Sequence, residues 1–76
     1  MTDKRREFIK GFAHMLECGG EKVVPEAVLT DIGTWDSLNV MGAVVLIDEV
    51  YGRVVHGREL AQCITVGDVL KVAEGS

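Results

Sequence analysis

The longest regular apolar pattern in this sequence runs from Ser37 to Tyr51 and repeats at the three- and four-residue spacing of a helix. Its apolar residues fall into two stripes. The first stripe consists of Val40, Val44, Ile47 and Tyr51, and the second of Leu38, Met41 and Val45. A helix that is apolar on two sides either lies at the centre of its fold or exposes one side to a partner. Because full burial is hard to achieve in 76 residues, we expect one side of this helix to stay partly exposed.

The chain is long enough for one hydrophobic core, since two domains of half this length would each bury too little apolar surface. Hydrophobic residues make up 47 % of the sequence but aromatic residues only 5 %, so the core must be mainly aliphatic, which suits packed helices. We therefore expect a single all-α domain over residues 1–76. The predicted architecture is a small four-helix bundle with three main helices, a short third helix and a long loop between helices 1 and 2.

The first predicted helix has its apolar residues on one stripe, namely Phe8, Ile9, Phe12, Met15 and Leu16. Thr2 or Asp3 can cap its start, and the Gly19-Gly20 pair should end it. Residues 21–35 sustain no period, so they are predicted to form a long connecting loop. We expect this loop to be held on the core by Val28, Leu29 and Ile32.

The part of the chain after Gly52 is predicted to contain a short helix and a longer one. Residues 53–56 are expected to be extended loop, because a single strand would have no partner. The short helix is placed at Glu59 to Cys63. The last helix should begin after Thr65, which stands three residues before Asp68 at the spacing of a capping box. Its core face is predicted to contain Val66, Val69, Leu70 and Ala73.

The charge of the chain argues against nucleic-acid binding. The formal net charge is −4 at pH 7, whereas proteins that bind a phosphate backbone carry a basic face. An acidic chain is better suited to basic protein surfaces. The basic residues near the start are interpreted as a solvated helical turn. They are Lys4, Arg5, Arg6 and Lys10.

Cysteine usage and hydropathy predict a cytoplasmic protein. Cys18 and Cys63 form no CxxC motif, so we expect reduced thiols and neither a disulfide framework nor a zinc site. The longest apolar run, Val40–Ile47, has eight residues, against the roughly 20 that span a bilayer. No signal peptide is visible at the charged start of the sequence.

Sequence signatures of enzymes and metal sites are missing. The chain contains no GxSxG, P-loop, HExxH or GxGxxG motif, and His14 and His56 fall in separate elements without a nucleophile or ligand set. The segment around Asp31 and Gly33 lacks the alternating oxygen ligands of a calcium loop. A hydrolase with Ser37 as nucleophile would need an adjacent base, which the sequence does not supply. We expect no catalytic residues, no metal and no enzymatic activity.

Ser37 is the candidate functional residue. A serine at the start of a helix presents its hydroxyl close to unpaired backbone N–H groups and to the positive end of the helix dipole. A phosphate ester at this position would be stabilised by both. The alternative is that Ser37, or Asp36 beside it, is only the N-cap of the helix.

The surroundings of Ser37 resemble the acyl carrier protein family. The resemblance covers nearly the whole chain: a first helix, a long loop, Asp36-Ser37-Leu38, a helix ending in Asp48-Glu49-x-Tyr51-Gly52, and Ile64-Thr65-Val66-Gly67-Asp68 before the last helix. It implies that Ser37 carries a 4′-phosphopantetheine arm, transferred from coenzyme A by a separate phosphopantetheinyl transferase that recognises Asp36 and Leu38. The arm would hold acyl or aminoacyl groups as thioesters for partner enzymes of fatty acid, lipid or polyketide and peptide-type biosynthesis.

The resemblance also implies roles for other residues. Leu38, Met41 and Val45, with Asp48 and Glu49, match the face of carrier proteins that docks on acyl-loading ligases, acyltransferases and later enzymes. Positions near the cavity that shelters a bound acyl group in family members are matched by Val44, Ile47, Val55, Leu60 and Cys63. Ordinary core packing is an equally good interpretation of these five positions. We expect a monomer.

Several residues depart from the family pattern. The first half of the Ser37–Tyr51 helix lacks the acidic residues of fatty-acid carriers, while Arg53, His56 and Arg58 add positive charge after it. Trp35 stands where a small residue is usual. Gly42 and Ala43 could allow close approach of a partner or only loosen the helix. These departures favour a specialised carrier over the housekeeping carrier of fatty acid synthesis.

A second hypothesis, from a different functional class, is an unmodified helical adaptor that binds partners through Leu38, Met41 and Val45. The two hypotheses differ in their dependence on Ser37. The carrier requires its hydroxyl, whereas the adaptor requires only the apolar side chains.

Overall fold

A computed structural model describes residues 3–75 of the chain, with only the backbone at Asp3. Over these residues the fold is all-α, as predicted, without β-strands. The helices are α1 (Asp3–Leu16), α2 (Leu29–Ile32), α3 (Ser37–Tyr51), α4 (Gly57–Ala61) and α5 (Val66–Glu74), with a 3₁₀ turn at Gly20–Lys22. Three long helices were expected and are found. The second short helix, α2, was not predicted.

Helix α1 ends earlier than its sequence suggests. Instead of continuing to the Gly19-Gly20 pair, it stops at Leu16, and Glu17 takes a left-handed conformation with φ 58°. The N–H groups of Cys18 and Glu17 donate to the carbonyls of Ala13 and His14, which is the hydrogen-bond pattern of a Schellman motif. The prediction for the end of α1 was therefore wrong. Thr2, a predicted cap, lies outside the described residues, as does the side chain of Asp3.

Helix α3 has the predicted bounds. Asp36 is its N-cap, and Gly52, with φ 67°, ends it by donating its N–H to the Asp48 carbonyl. The buried face of α3 is formed by Val40, Ala43 and Ile47, while Val44 and Tyr51 of the predicted inner stripe are half-buried.

Two glycines set the packing of α1 against α3. A Cβ atom on Gly42 would lie 2.6 Å from the Met15 sulfur, and one on Gly11 would lie 2.8 Å from Leu46 Cδ1. Helix backbones approach closely where such side chains are missing. Gly42 thus faces α1 within the fold, and Ala43 is fully buried. The suggestion that this pair admits a partner was wrong.

The segment between α1 and α3 is more ordered than the predicted loop. Besides the 3₁₀ turn and α2, it forms a short antiparallel contact with the start of α5, where Val28 pairs with Thr65. The Leu29 N–H donates to Ile64 O, and the Val66 N–H donates to Ala27 O, both at 2.9 Å. Leu29 is buried, as predicted, whereas Val28 and Ile32 are half-buried. These bonds fix the segment that leads into α3.

Helix α4 begins two residues before its predicted start. The Glu59 carboxylate accepts a hydrogen bond from the His56 N–H at 3.1 Å, so Glu59 lies inside the first turn of α4 and does not begin it. Residues 53–56 are irregular, as predicted. For α5 the predicted capping box is confirmed. Thr65 Oγ1 accepts from the Asp68 N–H, and Asp68 Oδ2 accepts from the Thr65 N–H.

One hydrophobic core joins the helices. Its largest fully buried side chains belong to Phe8, Phe12, Leu29, Ile47, Leu60, Val66 and Val69. All four residues of the predicted core face of α5 are buried. In the apolar stripe of α1, Phe8, Phe12 and Leu16 are buried, while Ile9 and Met15 are half-buried. Phe8 stacks on Phe12 at a ring-centroid distance of 5.3 Å. The few aromatic residues are thus concentrated where α1 meets α3.

An ion pair at the surface links three helices. Arg5 in α1 donates two hydrogen bonds to the carboxylate of Glu74 in α5, at 2.9 and 2.7 Å. The Tyr51 hydroxyl, at the end of α3, donates to the same carboxylate at 3.2 Å. These bonds lower the pKa of Glu74, with Arg5 the main cause. One member of the early basic cluster therefore connects helix ends.

No helix among residues 3–75 combines the length and the apolar composition that crossing a membrane requires. The most apolar helix, α3, has only 15 residues.

Candidate functional site

Ser37 is the first residue of α3, and its side chain is exposed. The capping role belongs to its neighbour, because Asp36 Oδ1 accepts a hydrogen bond from the Asn39 N–H at 3.0 Å. Among the described residues, the Ser37 hydroxyl has no hydrogen-bond partner. Of the two sequence interpretations of this serine, the N-cap therefore applies to Asp36 and not to Ser37. The hydroxyl is available to solvent at the positive end of a 15-residue helix.

The turn before Ser37 is anchored from both sides. The Trp35 indole N–H donates to the Leu60 carbonyl in α4 at 3.2 Å, and the indole ring lies 5.7 Å from the Phe12 ring in α1. The Asn39 side chain donates to the Thr34 carbonyl and closes the turn. These contacts hold the start of α3 against two other helices. The unusual tryptophan is thus a structural part of the site.

An apolar groove of about 350 Å³ begins beside Ser37 and runs between α3 and α4. Its lining residues are Trp35, Asp36, Ser37, Val40, Met41, Gly57 and Ala61. Asp36 and Ser37 are the polar members of this set. Gly57 helps to keep the groove open, since a Cβ atom there would lie 3.5 Å from Val40 Cγ1 and 3.9 Å from the Met41 sulfur. We call this feature the Ser37 groove.

The second apolar stripe of α3 is exposed to solvent. The exposed fractions are 77 % for Leu38, 58 % for Met41 and 54 % for Val45. Asp48 and Glu49 are also exposed. Helix geometry places these five residues within roughly 100° of the helix circumference, opposite the buried face. We call this surface the α3 outer face. Its exposure is what docking on a partner requires, while binding itself stays a prediction.

Basic side chains lie next to the groove in the chain. His56 and Arg58 flank Gly57 and are exposed, as is Arg53. His56 and Arg58 stand at the start of α4, whereas the Arg53 guanidinium lies beside Gly75 after α5. Asp48 and Glu49 lie near the end of α3. The surface around the site therefore carries both signs of charge.

The five candidate acyl-pocket residues do not line the Ser37 groove. Ile47, Val55 and Leu60 belong to the buried core, and Val44 and Cys63 are half-buried against it. Burial, with the nearby Asp68 and Glu59 carboxylates, raises the pKa of the Cys63 thiol to about 11. This thiol is therefore protonated at neutral pH and a poor nucleophile.

Sequence reasoning missed most of the groove. The sequence pattern places Val40 on the inner stripe and indicates no role for Gly57 or Ala61. Trp35 stands out in the sequence only as a departure from a family pattern. The groove joins residues from the turn before α3, from α3 and from α4, so helical periodicity within one element could not reveal it.

Within the described residues, no group of three His, Cys, Asp or Glu side chains is close enough to hold a metal ion. Searches against protein-family models, curated proteins and solved structures gave no match to this chain.

Proposed function

We propose that this chain is an acyl carrier protein and that Ser37 carries a 4′-phosphopantetheine arm. The observation that carries the proposal is the position of the Ser37 hydroxyl: exposed, at the first residue of a long helix, without a capping role, and at the end of an apolar groove.

The residues around Ser37 fit a phosphate ester. The N–H groups at the start of an α-helix and the helix dipole stabilise negative charge at this position. The Asp36 carboxylate accepts a hydrogen bond from the Asn39 N–H, which holds this acid at the helix start.

In this proposal the protein supplies an anchor and the partner enzymes supply catalysis. On modification, the Ser37 oxygen forms a new O–P bond while the bond to the adenosine 3′,5′-bisphosphate part of coenzyme A breaks and the hydroxyl proton leaves. A phosphopantetheinyl transferase would catalyse this step and would contact Asp36 and Leu38. When bound, the arm supplies a thiol that holds acyl groups as thioesters. Tethering at Ser37 raises the effective concentration of the acyl group at a partner's active site.

The remaining features are assigned on the same basis. Helices α1, α3, α4 and α5 correspond to the four helices of a carrier bundle, with α2 inside the connecting segment. The α3 outer face docks a loading ligase or acyltransferase and the later enzymes. Because the acids of α3 are confined to Asp48 and Glu49, with Asp36 at its N-cap, steering by acidic charge is weaker than in fatty-acid carriers, which favours a specialised pathway.

The test is intact-mass spectrometry after incubation with coenzyme A and a broad-specificity phosphopantetheinyl transferase. The wild type should gain the mass of one phosphopantetheine, and Ser37→Ala should gain none. Thr34→Ala is a matched control, because Thr34 is an exposed hydroxyl residue in the same turn, and it should be modified like the wild type. No gain on a folded, initially unmodified wild type with several transferases would rule out the carrier.

A second candidate function is an unmodified adaptor, favoured by the exposure of three large apolar side chains on the α3 outer face. Under this hypothesis Met41→Glu abolishes partner binding, while Ser37→Ala has no effect. A carrier depends on Ser37 in every partner reaction. Because both functions dock through the α3 outer face, the mass measurement distinguishes them: only the carrier gains phosphopantetheine on Ser37.

A further inference from the structure

The solvent-exposed side of α1 carries a row of basic residues that the fold does not use. Arg6, Lys10 and His14 are exposed and recur every four residues, so helix geometry places them within roughly 80° of the helix circumference. We call this row the α1 basic stripe. Arg5 shows the contrast, because its guanidinium is bound to the Glu74 carboxylate. Among residues 3–75, neither Arg6 nor Lys10 forms an ion pair.

The α1 basic stripe is unfavourable for the helix that carries it. The positive end of the helix dipole lies at the start of α1, where Arg6 adds a further positive charge. Arg6 and Lys10 are also four residues apart, a spacing at which like charges repel on a helix. Glu7 is a single exposed acid beside the stripe and offsets only part of this repulsion. Residues that break a local rule without a gain inside the fold are expected at functional sites.

The α1 basic stripe lies on the same side of the molecule as the α3 outer face. Phe12 of α1 and Ile47 of α3 both point into the core. Lys10 and Val45 stand two residues before them, an offset that turns each roughly 160° away from the buried side chain. The two helices pack flank to flank where Gly42 contacts α1. Their outer sides therefore form two neighbouring ridges, about 8–10 Å apart, and one partner surface can reach both.

The two ridges require different chemistry in a partner. The α3 outer face is apolar at Met41 and Val45, whereas the α1 basic stripe is cationic. Asp48 and Glu49 also lie on the α3 outer face. The distance between the helix axes is about one Debye length at physiological ionic strength, so these acids do not cancel the stripe for a partner in direct contact with it. The complementary surface is an apolar patch beside a row of carboxylates.

Other polyanions fit this side of the molecule less well. A nucleic acid or an anionic membrane would bring negative charge onto Asp48 and Glu49 as well as onto the stripe, and the chain has a net charge of −4. Over its described side chains, α1 exposes no large apolar residue that could enter a membrane. A folded protein can place its carboxylates opposite the stripe alone.

We infer that the α1 basic stripe is a second docking ridge, and that a partner protein seated on the α3 outer face places acidic side chains against Arg6 and Lys10. This inference rests on the proposed function, in which the α3 outer face docks on enzymes. It extends the docking surface to α1. It also assigns an acidic edge to the partner, although the net charge of the chain alone would favour a basic one.

The test is a titration of the full ¹⁵N-labelled chain with two helical peptides, followed by nuclear magnetic resonance. Both peptides carry leucine along one face, and along the neighbouring edge one carries glutamate and the other glutamine. The glutamate peptide should bind at low salt with a Kd lower by roughly fivefold, the gain expected from two exposed ion pairs. It should shift the amide signals of Lys10 and Val45 together. At about 1 M salt, where exposed charges are screened, the two Kd values should converge.

Two double variants provide the matched comparison. Arg6→Gln with Lys10→Gln should remove the preference for the glutamate peptide. Lys22→Gln with Lys71→Gln changes the net charge by the same amount at two exposed positions outside the stripe, and it should keep the preference. The stripe variant should also melt at or above the temperature of the wild type, because it removes charges that disfavour α1.

The outcomes are independent of the carrier test, because the peptides are titrated onto the unmodified chain, whereas the carrier function is read from the mass gained on Ser37. The inference would be overturned if neither peptide bound, if the preference survived in the stripe variant, or if the lysine control lost it equally. A lower melting temperature of the stripe variant would assign the two cations to the fold and would also overturn it. Tighter binding of a thymidine oligonucleotide or of phosphatidylserine vesicles than of the glutamate peptide would do the same, by showing a general polyanion site.

Discussion

The indole N–H of Trp35 donates a hydrogen bond to the backbone carbonyl of Leu60, 25 residues later in the chain, at 3.2 Å. This bond connects the turn before Ser37 with α4, the helix that forms the other wall of the groove. The same indole ring packs against Phe12 of α1. A single side chain therefore sets the position of the modification candidate relative to two helices.

Replacing Trp35 by Phe should destabilise the protein by about 1–2 kcal/mol, because the hydrogen bond to Leu60 is lost together with part of the buried ring surface. The contact with Phe12 is largely retained by the smaller ring. Urea unfolding followed by far-UV circular dichroism measures the change without relying on tryptophan fluorescence. Equal stability of variant and wild type would show that the Trp35 contacts contribute nothing to the fold.

Capping of α3 and the proposed modification at its start depend on two different residues, Asp36 and Ser37. Asp36→Ala removes the carboxylate that accepts from the Asn39 N–H and should cost about 1 kcal/mol in the free energy of unfolding. Asp36→Asn keeps a capping oxygen and should stay close to the wild type. Ser37→Ala should change stability by less than about 0.5 kcal/mol, since its hydroxyl does not cap and Ala favours helix.

Urea unfolding of these three variants at one pH gives the comparison. A loss for Ser37→Ala as large as that for Asp36→Ala would mean that Ser37 has a structural role after all. It would then remove the main support for the carrier proposal.

The free energy of unfolding should fall at acidic pH because the carboxylates of Asp68 and Glu74 become protonated. Hydrogen bonds from the Ile64 and Thr65 N–H groups lower the pKa of Asp68, and hydrogen bonds from Arg5 lower that of Glu74. A carboxyl group with a lower pKa in the folded state stabilises the fold above its unfolded pKa, which is about 4. This contribution is lost as the pH falls through the lower, folded value.

The melting temperature of the wild type should therefore decline from about pH 5 downward. The double variant Asp68→Asn, Glu74→Gln should have a lower melting temperature than the wild type at pH 7. Its melting temperature should decline less as the pH falls, because the variant lacks both titrating groups. Circular dichroism melting curves between pH 7 and 2 provide the measurement. Parallel curves for the two proteins would contradict the assignment of these two carboxylates.

The parts of the fold that depend on local signals were predictable from sequence. The bounds of α3 follow from Asp36, the apolar spacing and Gly52, and the start of α5 follows from the Thr65 and Asp68 capping box. In both cases the residues that fix the boundary lie within a few positions of it. Ser37 was singled out for the same reason, because its place at a helix start is a local property.

The parts that depend on distant contacts could not be read from local patterns. Helix α2 forms where the connecting segment bonds to the start of α5, through Leu29 and Ile64. The groove requires Trp35 and Gly57 to be brought together by packing of α4. At the end of α1 a glycine pair was the stronger local signal, yet Glu17 occupies the left-handed position.

The left-handed conformation of Glu17 at the end of α1 should be open to a stabilising substitution. A left-handed conformation costs a residue with a Cβ atom roughly 1–2 kcal/mol, and glycine avoids this cost while losing more chain entropy on folding. Glu17→Gly should therefore stabilise the protein by about 1 kcal/mol and raise its melting temperature by roughly 4–8 °C. Glu17→Ala is the matched control, because it removes the same exposed side chain but keeps the Cβ atom, and it should bring no such gain. If the alanine variant proved as stable as the glycine variant, the strain at φ 58° would not limit the stability of α1.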